Sequence, residues 1–167
     1  ERVPRVEHRE AGYLLMEHCG ETFAALLERW PLETARAELE PLAAELGAFH
    51  RAGHWHGAAQ IKNLTRRDGH TYRIDFEEDF GEFAPLAATQ ALDLVLFLNS
   101  VSLVGPIDEA EARRLLPRLA AVYFAVNPDP QVRAVMRRGM PWGAALARLA
   151  SPFRRLKARG RPRKGAA

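Results

Sequence analysis

The chain has 167 residues, of which 47% are hydrophobic and 27% are charged, a composition that predicts one soluble globular domain and excludes disordered and fibrous proteins. No apolar run reaches the roughly 18 residues of a membrane-spanning helix, and the opening segment ERVPRVEHRE lacks the apolar core of a secretory signal. Because the single cysteine, Cys19, cannot form an internal disulfide, we expect a cytoplasmic protein.

The first part of the chain predicts a strand followed by two helices. An apolar run over residues 12–19 follows a polar turn, as in a strand that leaves a hairpin. Apolar residues at helical spacing predict a short helix over residues 22–30, which Pro31 ends. A second apolar set, over residues 39–49, predicts a helix that ends at Gly53.

A loop and a hairpin come next, ahead of a helical second half. Residues 54–63 show neither the period of a strand nor that of a helix, whereas Asp68-Gly69 between residues 64–65 and 72–76 predicts a two-stranded hairpin. Residues 86–104 are apolar on nearly every side, which predicts a helix buried on most faces. Further helices are expected over residues 108–126, 130–138 and 141–156.

Three short motifs carry a resemblance to a known family. The sequence FHRAG at residues 49–53 precedes HGAAQIKN at 56–63, and IDFE follows at 74–77. In this order they resemble the Leu-His-x-x-Gly, His-x-Asp-x-x-x-x-Asn and Asp-Phe-Gly-like motifs of protein-kinase-like enzymes. The likeness is closest to small atypical kinases of the KEOPS-complex kinase, RIO kinase, lipopolysaccharide kinase and aminoglycoside phosphotransferase types. It extends from residue 4 to about residue 125.

The resemblance implies the C-terminal lobe of a kinase-like fold, mainly α with a short β-hairpin. With an N-lobe, which we expect upstream of this chain, the whole fold would be α+β. Residues 1–19 would form the end of the N-lobe and the hinge strand, residues 20–150 the C-lobe, and residues 151–167 a basic, disordered tail. No Gly-rich phosphate loop and no strand lysine with its partner glutamate precede residue 12, so these N-lobe parts would lie upstream.

Two residues match the metal ligands of the family. By the resemblance, Asn63 would hold Mg²⁺ through its amide oxygen, and Asp75 would bridge Mg²⁺ to the phosphates of ATP. The implied activity is transfer of a phosphoryl group from ATP to a hydroxyl of a protein, a lipid-linked sugar or a small molecule. The alternative is that Asn63 caps a turn and that Asp75 is a solvated carboxylate at a strand end.

One position departs from the family pattern. Two residues after His56, where the family carries its catalytic aspartate, this chain has Ala58. Loss of a positioned base typically lowers a rate by about 10² to 10⁴, so we expect a slow or degenerate kinase. The alternative is a pseudokinase that serves as a nucleotide-binding, scaffolding or regulatory module. Asp68 is the one other acidic residue between His56 and Asp75, and the predicted turn holds it at the far tip of the hairpin.

The other loop residues have further implied roles. Together with Asn63 and Asp75, His56 belongs to the implied catalytic set, in which it would shape the loop by hydrogen bonding. Gln60 and Lys62 occupy positions that contact substrate or phosphate in related kinases. The alternative for these two residues is that they are ordinary solvent-facing side chains of a loop.

The strand over residues 13–19 resembles the hinge that holds adenine in these families. Met16 would guard the back of the pocket, and the Glu17 carbonyl and the Cys19 amide would face adenine. Farther along, Asp93 is a lone carboxylate within an apolar helix, and a buried charge needs a partner. In the related families an Asp on this helix accepts backbone N–H bonds from the loop, so we carry that supporting role to Asp93.

The excess positive charge lies near the C-terminus, over residues 154–164. Apolar residues over 142–156 recur at helical spacing among arginines, a pattern that fits a helix packed on the lobe or one lying on an anionic bilayer. The basic end could bind a partner protein or the anionic surface at the inner face of the membrane, with nucleic acid a less favoured partner. The alternative is a solvated, disordered end.

Overall fold

The first two strands form a ribbon of their own. The computed structural model describes residues 3–76 and 84–139, and it opens with antiparallel strands β1 (Val6–Glu10) and β2 (Tyr13–Met16). Gly12, at φ +97°, completes the two-residue turn between them. The expected strand that leaves a hairpin is thus confirmed over Tyr13–Met16, whereas residues 17–19 of the predicted run are irregular.

The ribbon exposes apolar side chains on both of its faces. Because successive side chains of a strand point to opposite sides, Tyr13 and Leu15 lie on one face of β2, and Leu14 and Met16 lie on the other. All four are between 43% and 55% exposed. Among the described residues, no third strand pairs with the ribbon.

Two helices follow, as the apolar spacing predicts. Helix α1 (Phe23–Arg29) begins after Thr22, whose hydroxyl accepts a hydrogen bond from a backbone amide of the first turn at 3.3 Å. Pro31 ends α1 and, with its fixed φ, starts α2 (Leu32–Arg51). Both helices are confirmed, and α2 begins about two turns before Leu39, where its apolar pattern starts.

The second hairpin joins a short strand in a three-stranded sheet. Strands β4 (Leu64–Arg67) and β5 (His70–Arg73) are antiparallel, and β3 (Glu21–Thr22) pairs with β4, so the order is β3-β4-β5. Asp68 and Gly69 take φ +50° and +78°, the left-handed pair that a two-residue hairpin turn requires. The predicted hairpin is therefore confirmed.

Strand β5 is shorter than the sequence predicts. The expected strand over residues 72–76 ends at Arg73, and the following three residues are irregular. The physical reason is Asp75, whose φ of +69° does not occur in a β-strand. At the other end of the hairpin, a single 3₁₀ turn, Ile61–Asn63, leads from the loop into β4.

The remaining described residues are mainly helical. Helices α3 (Leu86–Val101) and α4 (Glu109–Val126) are followed by α5, which is described over residues 130–139. The prediction that the α3 segment is buried on most faces is wrong in part. Leu92 and Val95 are 37% and 43% exposed, because one face of α3, which also includes Asn99, does not pack against the core.

The core lies between α2, α3 and α4, with α1 at its edge. Its largest fully buried apolar side chains come from these four helices and from the segment that enters β4: Phe23, Leu27, Leu39, Leu46, Ile61, Leu64, Leu94, Phe97, Leu119 and Tyr123. Gly47 allows α2 and α4 to approach closely, since a Cβ at this position would lie 2.9 Å from the carbonyl oxygen of Tyr123. Outside the core, Arg36 of α2 donates two parallel hydrogen bonds, each 2.6 Å long, to the carboxylate of Glu111 in α4.

The fold class, mainly α with a short β-hairpin, is confirmed. No helix within the described ranges is long and apolar enough to cross a membrane. The domain boundaries after residues 19 and 150 stay predictions. The predicted helix over residues 141–156, the basic tail over 151–167 and Glu77 of the third motif lie outside the described residues.

Gly20→Ala should destabilise the protein more than Gly69→Ala. Both glycines take a left-handed φ, +85° and +78°, so either alanine costs about 1 to 2 kcal/mol of backbone strain. At Gly69 the added Cβ meets nothing within 4 Å, whereas at Gly20 it overlaps the carbonyl oxygen of Arg66. We expect urea unfolding to show a loss of about 1 to 2 kcal/mol for Gly69→Ala and about 3 kcal/mol or more for Gly20→Ala. Equal losses would contradict the close approach of Gly20 to β4.

Candidate functional site

The loop of residues 54–63 is anchored to one buried carboxylate of α3. Asp93 is fully buried, and its Oδ2 accepts a hydrogen bond from the amide of His56 at 2.6 Å, while its Oδ1 accepts one from the amide of Ala59 at 3.3 Å. Oδ2 also lies 3.3 Å from Nε2 of His50 on α2. These donors offset the large cost of burying a carboxylate. The burial and bonds expected of Asp93 are found, and its part in function stays a prediction.

Two further polar residues of α3 hold the loop, and neither was predicted from the sequence. Gln90 donates through Nε2 to the carbonyl of His50 at 2.7 Å and to that of the first loop residue at 2.9 Å. The hydroxyl of Ser100 accepts the amide of Ile61 at 2.9 Å. Positions 90, 93 and 100 are three and seven residues apart, which places them on one face of the helix. That polar spacing within an apolar helix is the signal that could have revealed them.

Asn63 is held in a defined orientation at the end of the loop. Its side chain is buried, and its Nδ2 donates to the carbonyl oxygen of Ala58 at 2.9 Å. Because the amide nitrogen is bonded to Ala58, the amide oxygen lies on the opposite branch of the group. The backbone carbonyl of Asn63 accepts the amide of Ile74 at 3.0 Å. Asp75 is the next residue, so Asn63 and Asp75 lie on neighbouring backbone segments.

Asp75 has a backbone conformation that is uncommon for residues other than glycine. Its φ of +69° lies in the left-handed region, which costs an L-residue about 1 to 2 kcal/mol. Strain of this kind is enriched at functional sites, where the surroundings enforce it. Exposure of the Asp75 side chain fits both a solvated strand-end carboxylate and a ligand that faces a cleft, so the metal-ligand role of Asp75 stays a prediction.

His56 shapes the loop from inside. Its buried ring accepts the amide of Ala58 on Nδ1 at 3.1 Å, so the proton of the neutral ring is on Nε2. Burial and, second, the positive charge of Arg73 lower the pKa of His56 below its ordinary value of 6.5. The ring also stacks on Phe76, with centroids 4.3 Å apart and planes at 27°. His56 thus connects the loop to the segment that contains Asp75.

The remaining candidate residues lie in two places. Within the loop, Gln60 is half-buried and Lys62 is exposed. In the predicted hinge, Met16 is exposed and Cys19 is buried, with its thiol donating to the carbonyl of Glu17 at 3.3 Å. Burial raises the pKa of the Cys19 thiol. The adenine contacts of the hinge residues and the substrate contacts of Gln60 and Lys62 stay predictions.

Asn63 and Asp75 offer two oxygen ligands, a set that suits Mg²⁺. This ion is usually bound through one or two protein oxygens and takes its other ligands from water and phosphate. In the part of the chain that the structure describes, no group of three or more His, Cys, Asp or Glu side chains could hold a metal ion. Two oxygen donors fit an ion such as Mg²⁺, which takes its remaining ligands from outside the protein.

Comparison with known sequences identifies a related protein. Over 89 residues the chain is 33% identical to the KEOPS complex subunit Bud32 of Pyrococcus abyssi (strain GE5 / Orsay), and the match covers 53% of this chain and 40% of that protein. The chain thus spans less than half the length of the relative it matches. No family model matches the chain. The similarity to this atypical kinase supports a kinase-like relationship.

Replacing His56 should make the stability less sensitive to acid. The pKa of His56 is lower in the folded chain than its unfolded value of 6.5, so the unfolded state takes up a proton first on acidification. The stability contributed by neutral His56 is present above the unfolded pKa and is lost as the pH falls through the folded pKa. We expect the free energy of unfolding in urea to fall less between about pH 7 and pH 5 in His56→Phe than in the wild type.

The matched control for this experiment is His70→Asn, which removes an exposed histidine of β5. It should retain the acid sensitivity of the wild type. The same pH dependence in all three proteins would show that burial does not hold His56 neutral.

Proposed function

We propose that this chain is part of an ATP- and Mg²⁺-dependent, kinase-like phosphotransferase that acts on a hydroxyl of a protein, a lipid-linked sugar or a small molecule. The observation that carries the proposal is the placement of Asn63, oriented by Ala58, beside the strained Asp75. The similarity to Bud32 supports the same class of protein. The pairing matters because phosphoryl transfer depends more on positioned charge than on covalent chemistry.

The residues of the chain would act mainly by positioning. Asn63 and Asp75 would hold the metal of Mg²⁺·ATP through their oxygens, and the metal supplies charge neutralisation on the phosphates when bound. The hydrogen bond to the carbonyl of Ala58 orients the side-chain amide of Asn63. The hydrogen bonds from loop amides to Asp93 hold the loop that contains Asn63. The ring of His56 accepts a hydrogen bond from the amide of Ala58 and so fixes the loop backbone between these two residues. Ligands fixed before binding lose little conformational freedom, which favours the complex.

The rest of the site belongs to the same proposal. Met16, Glu17 and Cys19 would contact adenine at the hinge, and Gln60 and Lys62 would face phosphate or substrate. The basic residues over 154–164 would contact a partner protein or an anionic membrane surface. In that arrangement a cytoplasmic protein would associate with the inner face of the membrane through its tail.

A second candidate function is that of a pseudokinase, a nucleotide-binding or scaffolding module. The observation that favours it is Ala58, which offers no group to accept the proton of a substrate hydroxyl. Asp68 does not replace the missing carboxylate, because it lies in the hairpin turn with its side chain 83% exposed. The length of β4 separates Asp68 from Asn63 by roughly 13 Å at about 3.3 Å per residue. Transfer would therefore be slow or absent.

Asp75→Asn should weaken metal binding, and Asp68→Asn should not. Both aspartates are exposed and take a left-handed φ, so the two substitutions remove the same charge from similar backbone. Using Mn²⁺ with ATP as the probe, we expect the affinity to fall about tenfold or more in Asp75→Asn alone. Paramagnetic broadening of the NMR signals around Asn63 reports the binding. A similar decrease in both variants would indicate a general effect of charge and would refute the metal site.

Ala58→Asp should separate the two candidate functions. If the remaining site is that of a slow kinase, restoring a positioned base should raise ATP turnover by about 10² to 10⁴. Turnover is measured on the longest natural protein that contains this chain. The control carries Asp75→Asn in addition, which should abolish the gain. Nucleotide binding without any gain in turnover would favour the pseudokinase.

A further inference from the structure

A line of buried polar groups connects the C-terminal end of α4 to the loop. Asn127 donates through Nδ2 to the hydroxyl of Tyr123 at 2.9 Å, and that hydroxyl lies 2.6 Å from Nδ1 of His50. Nε2 of His50 lies 3.3 Å from Oδ2 of Asp93, the oxygen that also accepts the amide of His56. All four residues are buried, and none is more than 3% exposed. We call these four residues the relay.

The chemistry of the two ends gives the relay a direction. The carboxylate of Asp93 accepts, so Nε2 of His50 carries the proton between them, and the amide nitrogen of Asn127 can only donate. The hydroxyl of Tyr123 accepts the hydrogen bond from Asn127. It donates its own hydrogen bond to Nδ1 of His50, the acceptor nitrogen of the neutral ring. Burial raises the pKa of Tyr123 to about 12, so the hydroxyl keeps this proton at neutral pH. In each of the three hydrogen bonds within the relay, the donor is therefore the group farther from Asp93.

Close packing of α2 and α4 makes the relay possible. Gly47 lies one turn before His50 and leaves room for the backbone of α4 at Tyr123. The carbonyl of Tyr123 also accepts the backbone amide of Asn127 at 2.8 Å, the bond that closes the last turn of α4. Asn127 is thus both the C-cap of α4 and the first donor of the relay.

We propose that Tyr123 and Asn127 are positioning residues for the loop of residues 54–63. They hold His50 in the tautomer that donates to Asp93, the anchor of that loop. A change at Asn127, at the end of α4, then reaches the loop through four hydrogen bonds. What the positioned loop does rests on the proposed function, whereas the coupling itself requires neither metal nor nucleotide.

Tyr123→Phe tests the relay because it removes the hydroxyl and keeps the ring. Nitrogen-15 NMR of the full chain, without metal or nucleotide, reports which ring nitrogen of His50 is protonated. We expect a proton on Nε2 in the wild type and a changed Nδ1 signal in Tyr123→Phe. In the variant, the amides of His56 and Ala59 should exchange with solvent about five- to tenfold faster.

Two further variants complete the experiment. Asn127→Ala should accelerate the same two loop amides. Tyr72→Phe is the matched control, since it removes a hydroxyl from another buried tyrosine, in β5, and it should change neither the His50 signals nor the loop. A wild-type His50 that is doubly protonated or protonated on Nδ1 would overturn the inference. Equal acceleration throughout α2 and α4 would also overturn it, because general loss of packing has that effect.

Failure of the relay and failure of the proposed function are distinguishable. If the wild type binds no Mn²⁺ with ATP while Tyr123→Phe accelerates exchange of the His56 and Ala59 amides alone, the metal site is refuted and the relay stands. If Mn²⁺ binds but the exchange of His56 and Ala59 is unchanged in Tyr123→Phe, the relay is refuted and the metal site stands.

Discussion

The carboxylate of Asp93 is the constraint on which the site depends. An irregular loop has no strand or helix partner for its backbone, and each buried amide left unpaired would cost about 1 to 3 kcal/mol. Helix α3 supplies the missing partners, because Gln90, Asp93 and Ser100 lie on its loop-facing side and bond to loop backbone groups. The helix is rigid because its own hydrogen bonds are internal, and the loop acquires that rigidity through three side chains rather than through regular structure of its own.

The anchored loop in turn fixes the segment after β5. The amide of Ile74 bonds to Asn63, and the ring of Phe76 stacks on His56. Asp75 lies between these two contacts, which explains how a left-handed backbone persists at a residue with a side chain. The orientation of Asn63 and the conformation of Asp75 are therefore two results of the same anchoring.

Local signals were sufficient for much of the fold, while the missed features depend on the assembled structure. Pro31 and the pair Asp68-Gly69 mark boundaries through backbone chemistry that acts within a few residues, and both predictions are confirmed. The end of β5 was missed because the φ of Asp75 is set by contacts with a distant loop. Exposure of one face of α3 was missed because hydropathy reports how apolar a segment is and not what packs against it. The contact between His50 and Tyr123 joins residues 73 positions apart, a separation at which no spacing rule applies.

The N-terminal ribbon has a consequence for how the chain behaves in solution. It combines apolar side chains on both faces with strand edges that pair with nothing else in the described ranges. Unpaired edges of this kind are templates for strands of another molecule, and here no charge on either face of β2 opposes such pairing. Self-association of the isolated chain should therefore begin at the free edge of β2, away from the charged side chains of β1.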